Sequence, residues 1–415
     1  MIFKRNFPIV ILLAALFSLA GCGGGGSNGS NSSGAVVSSP ALVGANVLPI
    51  IIDGAPGIVP GQIYANGPFV SVKVCVPGTS NCQTIDHVLL DSGSTGLRIF
   101  STVLTNPVVA NALVPVSVGG SQLAECAVFA SGYTWGSVKL ADVHLAGETA
   151  SSVPIQIMAD AAVPATPPSS CPGVSQNSVQ AFGANGVLGV STFQQDCGAA
   201  CAQSAVTGAT SYYTCPAAIC SPVIVATASQ VQNPVAMQTA DNNGVAIVLP
   251  PLTTGSAVSV SGWLILGIGT QSNNTLGSAT SYDLDAFGNL LTTYKNQLMS
   301  AFVDSGSNAL FFPDTTIPVC SSPYQGFYCP VASLSLSAVI QGAFNSRTAP
   351  ISFNVANTST LFNNSQAYTA FNNLAGTSVL PGTFDWGLPF FFGRQVYFAI
   401  EQKATPLGTG PYVAF

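Results

Sequence analysis

Short runs in which apolar residues alternate with others recur along this chain. Residues Phe69–Val76 show this period-two pattern, which is typical of a β-strand with one buried face. Ile85–Leu90, which runs directly into Asp91, and Trp263–Leu266 are further candidate strands, and Asp285–Ser300 is the most helix-like stretch. With 42 glycines and 28 prolines along the chain, we expect many short strands joined by turns instead of long helices.

The composition narrows the class of protein. A chain of 415 residues is long enough for two lobes with separate cores. Because 48% of the residues are apolar and 6% are charged, the sequence does not have the composition of a disordered chain. The net charge of −6 and the scarcity of lysine and arginine argue against a nucleic-acid partner, which would require cations to displace phosphate counterions.

The N-terminus has the features of an export signal. Residues 1–21 contain a basic start, Lys4 and Arg5, followed by a short apolar stretch and small residues. The segment Leu19–Cys22 resembles the lipobox of bacterial lipoproteins. This resemblance implies cleavage before Cys22, acylation of its sulfur (palmitate being an expected chain), and a lipid-anchored place in the bacterial cell envelope. We expect the outer membrane, facing the periplasm or the cell surface. The alternative is an ordinary cleaved signal in which Cys22 is incidental.

Residues 22–45 are predicted to form a flexible tether, because their first part is composed almost entirely of glycine, serine and asparagine. Beyond it, we expect an N-terminal lobe over residues 46–275 and a C-terminal lobe over residues 276–415.

The cysteine count suits an oxidising compartment. Of eleven cysteines, ten remain when Cys22 is set aside, and an even number is compatible with five disulfides. Two close pairs could each close a hairpin, whereas the pairing of the others stays open; the pairs are Cys75 with Cys82 and Cys320 with Cys329, and the others are Cys126, Cys171, Cys197, Cys201, Cys215 and Cys220. A zinc site in the cluster 197–220 is disfavoured, because it has no Cys-x-x-Cys pair and both histidines, His87 and His144, are distant in sequence.

An internal repeat is the most informative feature of the sequence. Residues 89–97 and 302–310 share one pattern: two apolar residues, Asp-Ser-Gly-Ser, two variable residues and a leucine. The two copies are separated by roughly half the chain, which favours a duplicated lobe. A single copy would be read as a plain turn, but two copies in the same local context favour a paired site.

Two carboxylates held together can hydrolyse a peptide bond with water. Like charges at close range do not both ionise easily, so such a pair shares one proton and supplies both a base and an acid; the aspartic-protease dyad is the reference example of this effect. We predict Asp91 and Asp304 as the catalytic pair. The residues that follow them would orient the carboxylates by hydrogen bonds and close backbone approach, namely Ser92, Gly93, Ser94, Ser305, Gly306 and Ser307.

With these motifs, the chain resembles the pepsin-like aspartic peptidases from about Pro49 to Phe415. The family's apolar-apolar-Gly segments are matched by Val187–Gly189 and by Phe384–Gly387, where Asp385 is an unusual polar residue. The closing segments 387–401 and 411–415 resemble the family's C-terminal strands. The resemblance implies a mostly-β, bilobal fold with a cleft between two lobes related by a pseudo-twofold axis. It also implies a monomer that acts on an extended peptide or protein substrate without a cofactor or metal.

The family closes its cleft with a hairpin flap that bears a tyrosine, and residues 129–138 resemble this hairpin. Aligning the glycines places Phe129 at the tyrosine position, and Arg98 stands where the family has a tryptophan. The candidate flap and substrate contacts are Phe129, Gly132, Tyr133 and Trp135. Simple packing within a hairpin is the alternative for the three aromatic residues.

Two other interpretations stay open at this point. Retention of both aspartates favours an aspartic endopeptidase, whereas Phe129, Arg98 and Asp385 favour a catalytically inactive pepsin-fold protein that binds or inhibits a partner at the cell surface. A surface β-adhesin with coincidental turns is a third possibility, which the repeat disfavours.

Overall fold

The computed structural model describes residues 35–57, 64–205, 210–216, 219–364, 367–378 and 380–415. The protein is mostly β, with 44% strand and 9% helix, which confirms the expected mostly-β class. The described strands of the first part of the chain are β1 (Val36–Ser38), β2 (Val47–Ile52), β3 (Phe69–Cys75), β4 (Cys82–Asp91), β5 (Thr95–Phe100), β6 (Val114–Pro115), β7 (Ser117–Val118), β8 (Ser121–Phe129), β9 (Gly132–Leu145), β10 (Glu148–Met158), β11 (Gly186–Val190), β12 (Thr210–Thr214), β13 (Ser221–Pro222) and β14 (Gly244–Val248).

The remaining elements are also short. The strands are β15 (Ser256–Ala257), β16 (Ser259–Leu266), β17 (Ser281–Asp283), β18 (Leu290–Tyr294), β19 (Gln297–Val303), β20 (Leu310–Phe311), β21 (Leu334–Gln341), β22 (Thr348–Val355), β23 (Ala370–Phe371), β24 (Ala375–Gly376), β25 (Thr383–Trp386), β26 (Gln395–Ala399), β27 (Ala404–Thr405), β28 (Gly408–Thr409) and β29 (Tyr412–Ala414). The α-helices are α1 (Pro107–Ala112), α2 (Val179–Phe182), α3 (Ala199–Gln203) and α4 (Thr358–Asn364), and the 3-10 helices are Ser101–Val103, Thr227–Ser229, Val235–Met237 and Leu388–Phe390.

Most strands of the first part of the chain belong to one sheet of 18 strands. The long strands β8, β9 and β10 form consecutive antiparallel pairs within it. The predicted strand at residues 69–76 is confirmed as β3, whose side chains alternate between buried and exposed at its centre, as the sequence pattern requires. The predicted strands at residues 85–90 and 263–266 are confirmed as parts of β4 and β16.

Strands from distant parts of the sequence meet in one portion of this sheet, which we call the platform. Its strands pair in the order β2, β16, β14, β26, β29 and β17, and every pairing is antiparallel. The pair β14–β26 joins the two segments that the sequence analysis assigned to different lobes, because the register aligns Gly244 with Ala399 and Val248 with Gln395. The platform therefore ties the beginning, middle and end of the chain together.

A second sheet of seven strands, ordered β22-β21-β18-β19-β25-β20-β24, contains the second Asp-Ser-Gly-Ser segment at one end of a strand. Its buried side is lined with aromatic rings in contact: Phe312 stacks on Phe384 with 5.0 Å between centroids, and Phe384 stacks on Trp386 at 4.3 Å. Burial of these large rings provides much of the stabilisation of this half of the protein.

The prediction of a helix at residues 285–300 is wrong. This stretch contains β18 and the start of β19, which form an antiparallel hairpin. The turn residues Lys295 and Asn296 have φ values of 48° and 63°. Two consecutive left-handed residues make the tight turn that matches the twist of the strands on either side.

The N-terminal signal and Cys22 lie outside the described residues. Within the segment assigned to the tether, Val36–Ser38 forms β1, which pairs in parallel with Ser259–Ser261. The chain is therefore part of the sheet from residue 36, earlier than the expected end of a flexible tether at residue 45. Over the described ranges, no helix combines the length and the apolar character that a bilayer span requires.

Candidate active site

The two Asp-Ser-Gly-Ser segments lie at equivalent places in two similar strand arrangements. Asp91 is the last residue of β4, and Asp304 follows the last residue of β19. β11 runs parallel to β4 and antiparallel to β5, and β25 runs parallel to β19 and antiparallel to β20. In both arrangements an apolar strand directs its aspartate into a turn, and a later strand lies between the two arms of that turn.

The serines that follow the aspartates bind the two segments to each other. The backbone N–H of Ser92 donates to Ser305 Oγ at 3.0 Å, and the N–H of Ser305 donates to Ser92 Oγ at 2.9 Å. Each hydroxyl in turn donates to a carbonyl of the opposite strand, Ser92 to Val303 at 3.1 Å and Ser305 to Leu90 at 2.8 Å. All four bonds are buried and connect residues more than half the chain apart, so they fix the relative position of the two carboxylates.

Each carboxylate receives the same two hydrogen bonds from its own turn. Asp91 accepts from the N–H of Gly93 at 2.8 Å and from Ser94 Oγ at 2.5 Å. Asp304 accepts from the N–H of Gly306 at 2.8 Å and from Ser307 Oγ at 2.9 Å. The six residues predicted to support the pair therefore hold both carboxylates in matching orientations.

The glycines allow the two turns to approach each other closely. A Cβ atom added to Gly93 would lie 2.6 Å from Asp304 Cγ, and one added to Gly306 would lie 2.6 Å from Asp91 Oδ1. Burial, followed by the charge of Asp91 and a hydrogen bond between the two carboxyl groups, raises the pKa of Asp304 well above its ordinary range. The structure thus brings Asp91 and Asp304 together as a buried pair suited to share one proton.

The predicted hairpin is present beside this pair. β8 and β9 form it, and its register aligns Phe129 with Gly132 across a two-residue turn. The Phe129 ring lies 5.7 Å from the ring of Phe182 and packs in a cluster that also includes Leu89. Phe129 is thus near the strand that carries Asp91, but its ring has no hydroxyl with which to bind a substrate or a water.

The other hairpin residues have mainly structural contacts. Gly132 is required because Val174 O would lie 2.1 Å from a Cβ atom at this position. Tyr133 exchanges backbone hydrogen bonds with Val174 and Gln176, both at 2.9 Å. Trp135 is 1% exposed, and its Nε1 donates to Pro164 O at 2.7 Å. The structure therefore supports the packing alternative for Trp135, because a buried ring of this kind does not reach a substrate.

Arg98 belongs to a buried charged cluster beneath the hairpin. Its Nη2 donates to Glu125 Oε1 at 2.5 Å and to Asp196 Oδ2 at 2.9 Å, and its Nη1 donates to Thr95 O at 2.7 Å. Tyr212 completes the cluster by donating to Asp196 Oδ1 at 2.7 Å. Arg98 therefore has a defined structural role at the position where the resemblance predicted an aromatic residue, and this cluster was not predicted from the sequence.

Sequence reasoning also missed two residues near the dyad. Burial, and then the charge of Asp91, raise the pKa of Tyr64 to about 12, so this phenol stays neutral, and its ring packs in the cluster that includes Leu89 of β4. The side chain of Asn66 donates to Asn308 O at 2.7 Å and to Phe371 O at 2.8 Å, which links the first half of the chain to the turn that follows Asp304. A tyrosine and an asparagine just before a predicted strand were the only signals, and neither is distinctive.

The ten cysteines of the described part of the chain form five disulfides: Cys75–Cys82, Cys126–Cys171, Cys197–Cys201, Cys215–Cys220 and Cys320–Cys329. The two predicted hairpin pairs are confirmed. The zinc alternative for the cluster 197–220 is removed, because all four of its sulfurs are in disulfides. Cys75 and Cys82 also lie near His144, but a disulfide does not supply thiolate ligands to a metal.

A comparison with protein families finds a family model that matches residues 43–415. The family is described as a protein of unknown function, DUF3443. The chain belongs to this family. A comparison with curated proteins finds no match. The DUF3443 match begins after the predicted signal and includes both Asp-Ser-Gly-Ser segments.

Proposed function

We propose that this DUF3443 protein is an aspartic-type endopeptidase with a pepsin-like, bilobal fold. The observation that carries the proposal is the buried pair Asp91 and Asp304, supplied by two equivalent turns that Ser92 and Ser305 bind to each other. A symmetrical pair of this kind, built from residues far apart in sequence, is the arrangement that general acid–base hydrolysis of an amide needs.

In the proposed reaction, the pair carries one proton and binds a water molecule. The ionised carboxylate removes a proton from the water, whose oxygen attacks the peptide carbonyl carbon, and the other carboxyl group gives its proton to the carbonyl oxygen. The resulting gem-diol collapses as the amide nitrogen takes a proton from the dyad and the ionised dyad takes a proton from one gem-diol hydroxyl. The C–N bond breaks, a carboxylic acid and an amine are released, and the pair again holds one proton. The turns contribute by keeping both carboxylates in position throughout, which saves reorganisation during the reaction.

Cleavage of a peptide library by the purified, disulfide-bonded, full-length protein tests this function. We expect cleavage in acidic solution, its inhibition by pepstatin, which mimics the tetrahedral intermediate, and its loss in Asp91→Asn and in Asp304→Asn. Asp86→Asn is the matched control, because the Asp86 side chain is 70% exposed and lies outside the dyad. Cleavage that survives in both dyad variants would overturn the proposal.

The second candidate function is a catalytically inactive surface protein that binds or inhibits a peptide or protein partner in the same cleft. The observation that favours it is Phe129, which gives the hairpin a ring without the hydroxyl that the family's flap uses. If the folded protein binds pepstatin or a partner peptide but cleaves nothing between acid and neutral pH, this second function is supported in place of the first.

We also propose that the protein is a monomer held in the cell envelope by a lipid on Cys22. The support is the lipobox-like segment and the five disulfides, which suit an exported protein. Incorporation of labelled palmitate into the full-length protein in bacterial cells tests the anchor. We expect label in the wild type and none in Cys22→Ala; equal labelling of both would contradict the assignment.

A further inference from the structure

A third carboxyl group, that of Asp385, is buried beside the dyad. Asp385 lies in β25, between β19 and β20, where the register places it opposite Phe302 and Phe311. The residue is 6% exposed, and its Oδ1 atom is buried without a hydrogen-bond partner among the described residues. The resemblance predicted an apolar residue here, so the carboxyl group is a departure that packing alone does not explain.

Asp385 lies next to the turn that contains Asp304 and Ser307. The Ser307 hydroxyl donates to Asp304 Oδ2 at 2.9 Å. The turn that contains both residues is bonded to the chain that directly follows Asp385, because the N–H of Asp304 donates to Trp386 O at 3.1 Å and the N–H of Leu388 donates to Ser307 O at 2.7 Å. The pKa of Asp385 is raised well above its ordinary range, first by burial and then by the charge of Asp304, with a smaller contribution from Asp91. These two aspartates are the charged groups that face Asp385, since the flanking strands β19 and β20 carry no ionisable residue.

A purely structural role would not favour a carboxyl group at this position. Burying a polar group with an unpaired oxygen destabilises the fold, and an apolar side chain of similar volume avoids that cost. In the first half of the chain the strand arrangement is the same, but the residue equivalent to Asp385 is the apolar Val187. The asymmetry between the halves therefore lies in a group that can exchange a proton with the site.

We propose that Asp385 is a positioning residue that acts on Asp304 and extends toward neutral pH the range in which the Asp91–Asp304 pair holds its single proton. This inference rests on the proposed peptidase function for its consequence in catalysis. Its physical basis, a cluster of three coupled carboxyl groups, does not depend on turnover.

The proton count explains the direction of the effect. At the acidic optimum the cluster holds two protons, one on Asp385 and one on the dyad. After the next proton leaves, one proton remains for the three carboxyl groups. For part of the time Asp385 is the ionised group and the dyad keeps this proton, because a third negative charge nearby opposes full ionisation of the pair. Without Asp385 the same step removes the dyad's only proton.

The test compares Asp385→Asn and Asp385→Leu with the wild-type full-length protein. We expect the alkaline limb of the kcat/KM profile to move to lower pH by about one unit in both variants, since interacting carboxyl groups are coupled by about this amount. A structural role would lower the height of the profile and leave the limb in place. A limb that coincides with that of the wild type in a folded variant overturns the inference.

A second measurement separates this inference from the proposed function. Infrared titration follows the C=O band of protonated carboxyl groups and needs no substrate, and the dyad's step is identified as the one lost in Asp304→Asn. In Asp385→Asn we expect one titration step fewer and the dyad's step moved to lower pH by about one unit. If the wild type cleaves no peptide but this shift is found, the peptidase function fails and the coupling stands; if the step does not move, the coupling fails.

Discussion

Ser92 and Ser305 each accept a hydrogen bond from the backbone N–H of the other, at 2.9 and 3.0 Å. Each hydroxyl then donates to the strand that precedes the opposite aspartate. This reciprocal arrangement makes the two halves of the site interdependent, because neither turn has its buried donors satisfied without the other.

We expect Ser92→Ala and Ser305→Ala each to lower the free energy of unfolding by roughly 1–3 kcal/mol, because each leaves a buried N–H without an acceptor. Urea denaturation measures the change. Ser335→Ala is the control, since this serine is exposed and bonds only at the surface, and we expect it to cost less than about 0.5 kcal/mol. The double variant should cost less than the sum of the two single variants, because the four bonds form one network. Losses that add up in the double variant, or single losses no larger than that of the control, would contradict the interdependence.

The coupled dyad predicts a bell-shaped dependence of kcat/KM on pH. In the proposed reaction the pair acts while it carries one proton, so we expect activity to fall at low pH, when the second carboxyl group is protonated, and at high pH, when the last proton leaves. Because burial and the charge of Asp91 raise the pKa of Asp304 well above its ordinary range, the alkaline fall should lie above the pH at which a free aspartate ionises. Steady-state cleavage assays over the acid to neutral range measure both limbs. Activity that continues to rise through neutral pH would point to a different base.

Removal of Arg98 should destabilise the fold strongly. Arg98 is 2% exposed, and its loss leaves Glu125 and Asp196 facing each other without a cation. We expect Arg98→Met to cost roughly 3–5 kcal/mol, the usual result when one partner of a buried ion cluster is removed. Thermal or urea unfolding measures the loss. Arg347→Met is the control, because Arg347 is exposed, and its effect should stay within about 1 kcal/mol. Equal stability of the two variants would show that the buried cluster is dispensable.

Asp314 should help the fold to tolerate acid. Burial alone would raise the pKa of Asp314, but hydrogen bonds from Lys295, Tyr294 and Thr316 outweigh it and lower the pKa from 3.8 to about 2. Because the folded value is depressed, this stabilisation is fully present above pH 3.8 and is lost as the pH falls toward 2.

The variant Asp314→Asn should therefore be less stable than the wild type at neutral pH by about 1 kcal/mol, a modest value because Lys295 is half exposed. The difference should shrink as the pH approaches 2, as measured by urea unfolding at several pH values. Asp86→Asn controls for the loss of one negative charge at the surface. A difference that stayed constant across this range would show that Asp314 acts through packing and not through its charge.

The dyad and its supports could be predicted from the sequence because the repeat is local. Asp-Ser-Gly-Ser after an apolar strand determines its own turn, and two copies identify the pair. The strands β3, β4 and β16 were predictable for the same reason, since alternation of side chains is a property of neighbouring residues.

Features that depend on distant partners could not be predicted. Arg98 departs from the family's pattern, and its buried partners Glu125 and Asp196 lie far from it in the sequence. The helix predicted at residues 285–300 was wrong because Lys295 and Asn296 form a hairpin turn in left-handed conformations, which the sequence does not mark with glycine. Trp135 was predicted as a substrate contact of the flap, but its indole contacts Pro164 and Tyr213 in the interior.

The platform has a consequence for the biosynthesis of the protein. Its strand β29 comprises Tyr412–Ala414 and lies between β17 and β26. A growing chain therefore leaves the edges of β17 and β26 open until residues 412–414 have left the ribosome, and such non-local pairings form slowly. A chain without residues 412–414 would keep both edges exposed and would therefore be prone to aggregate.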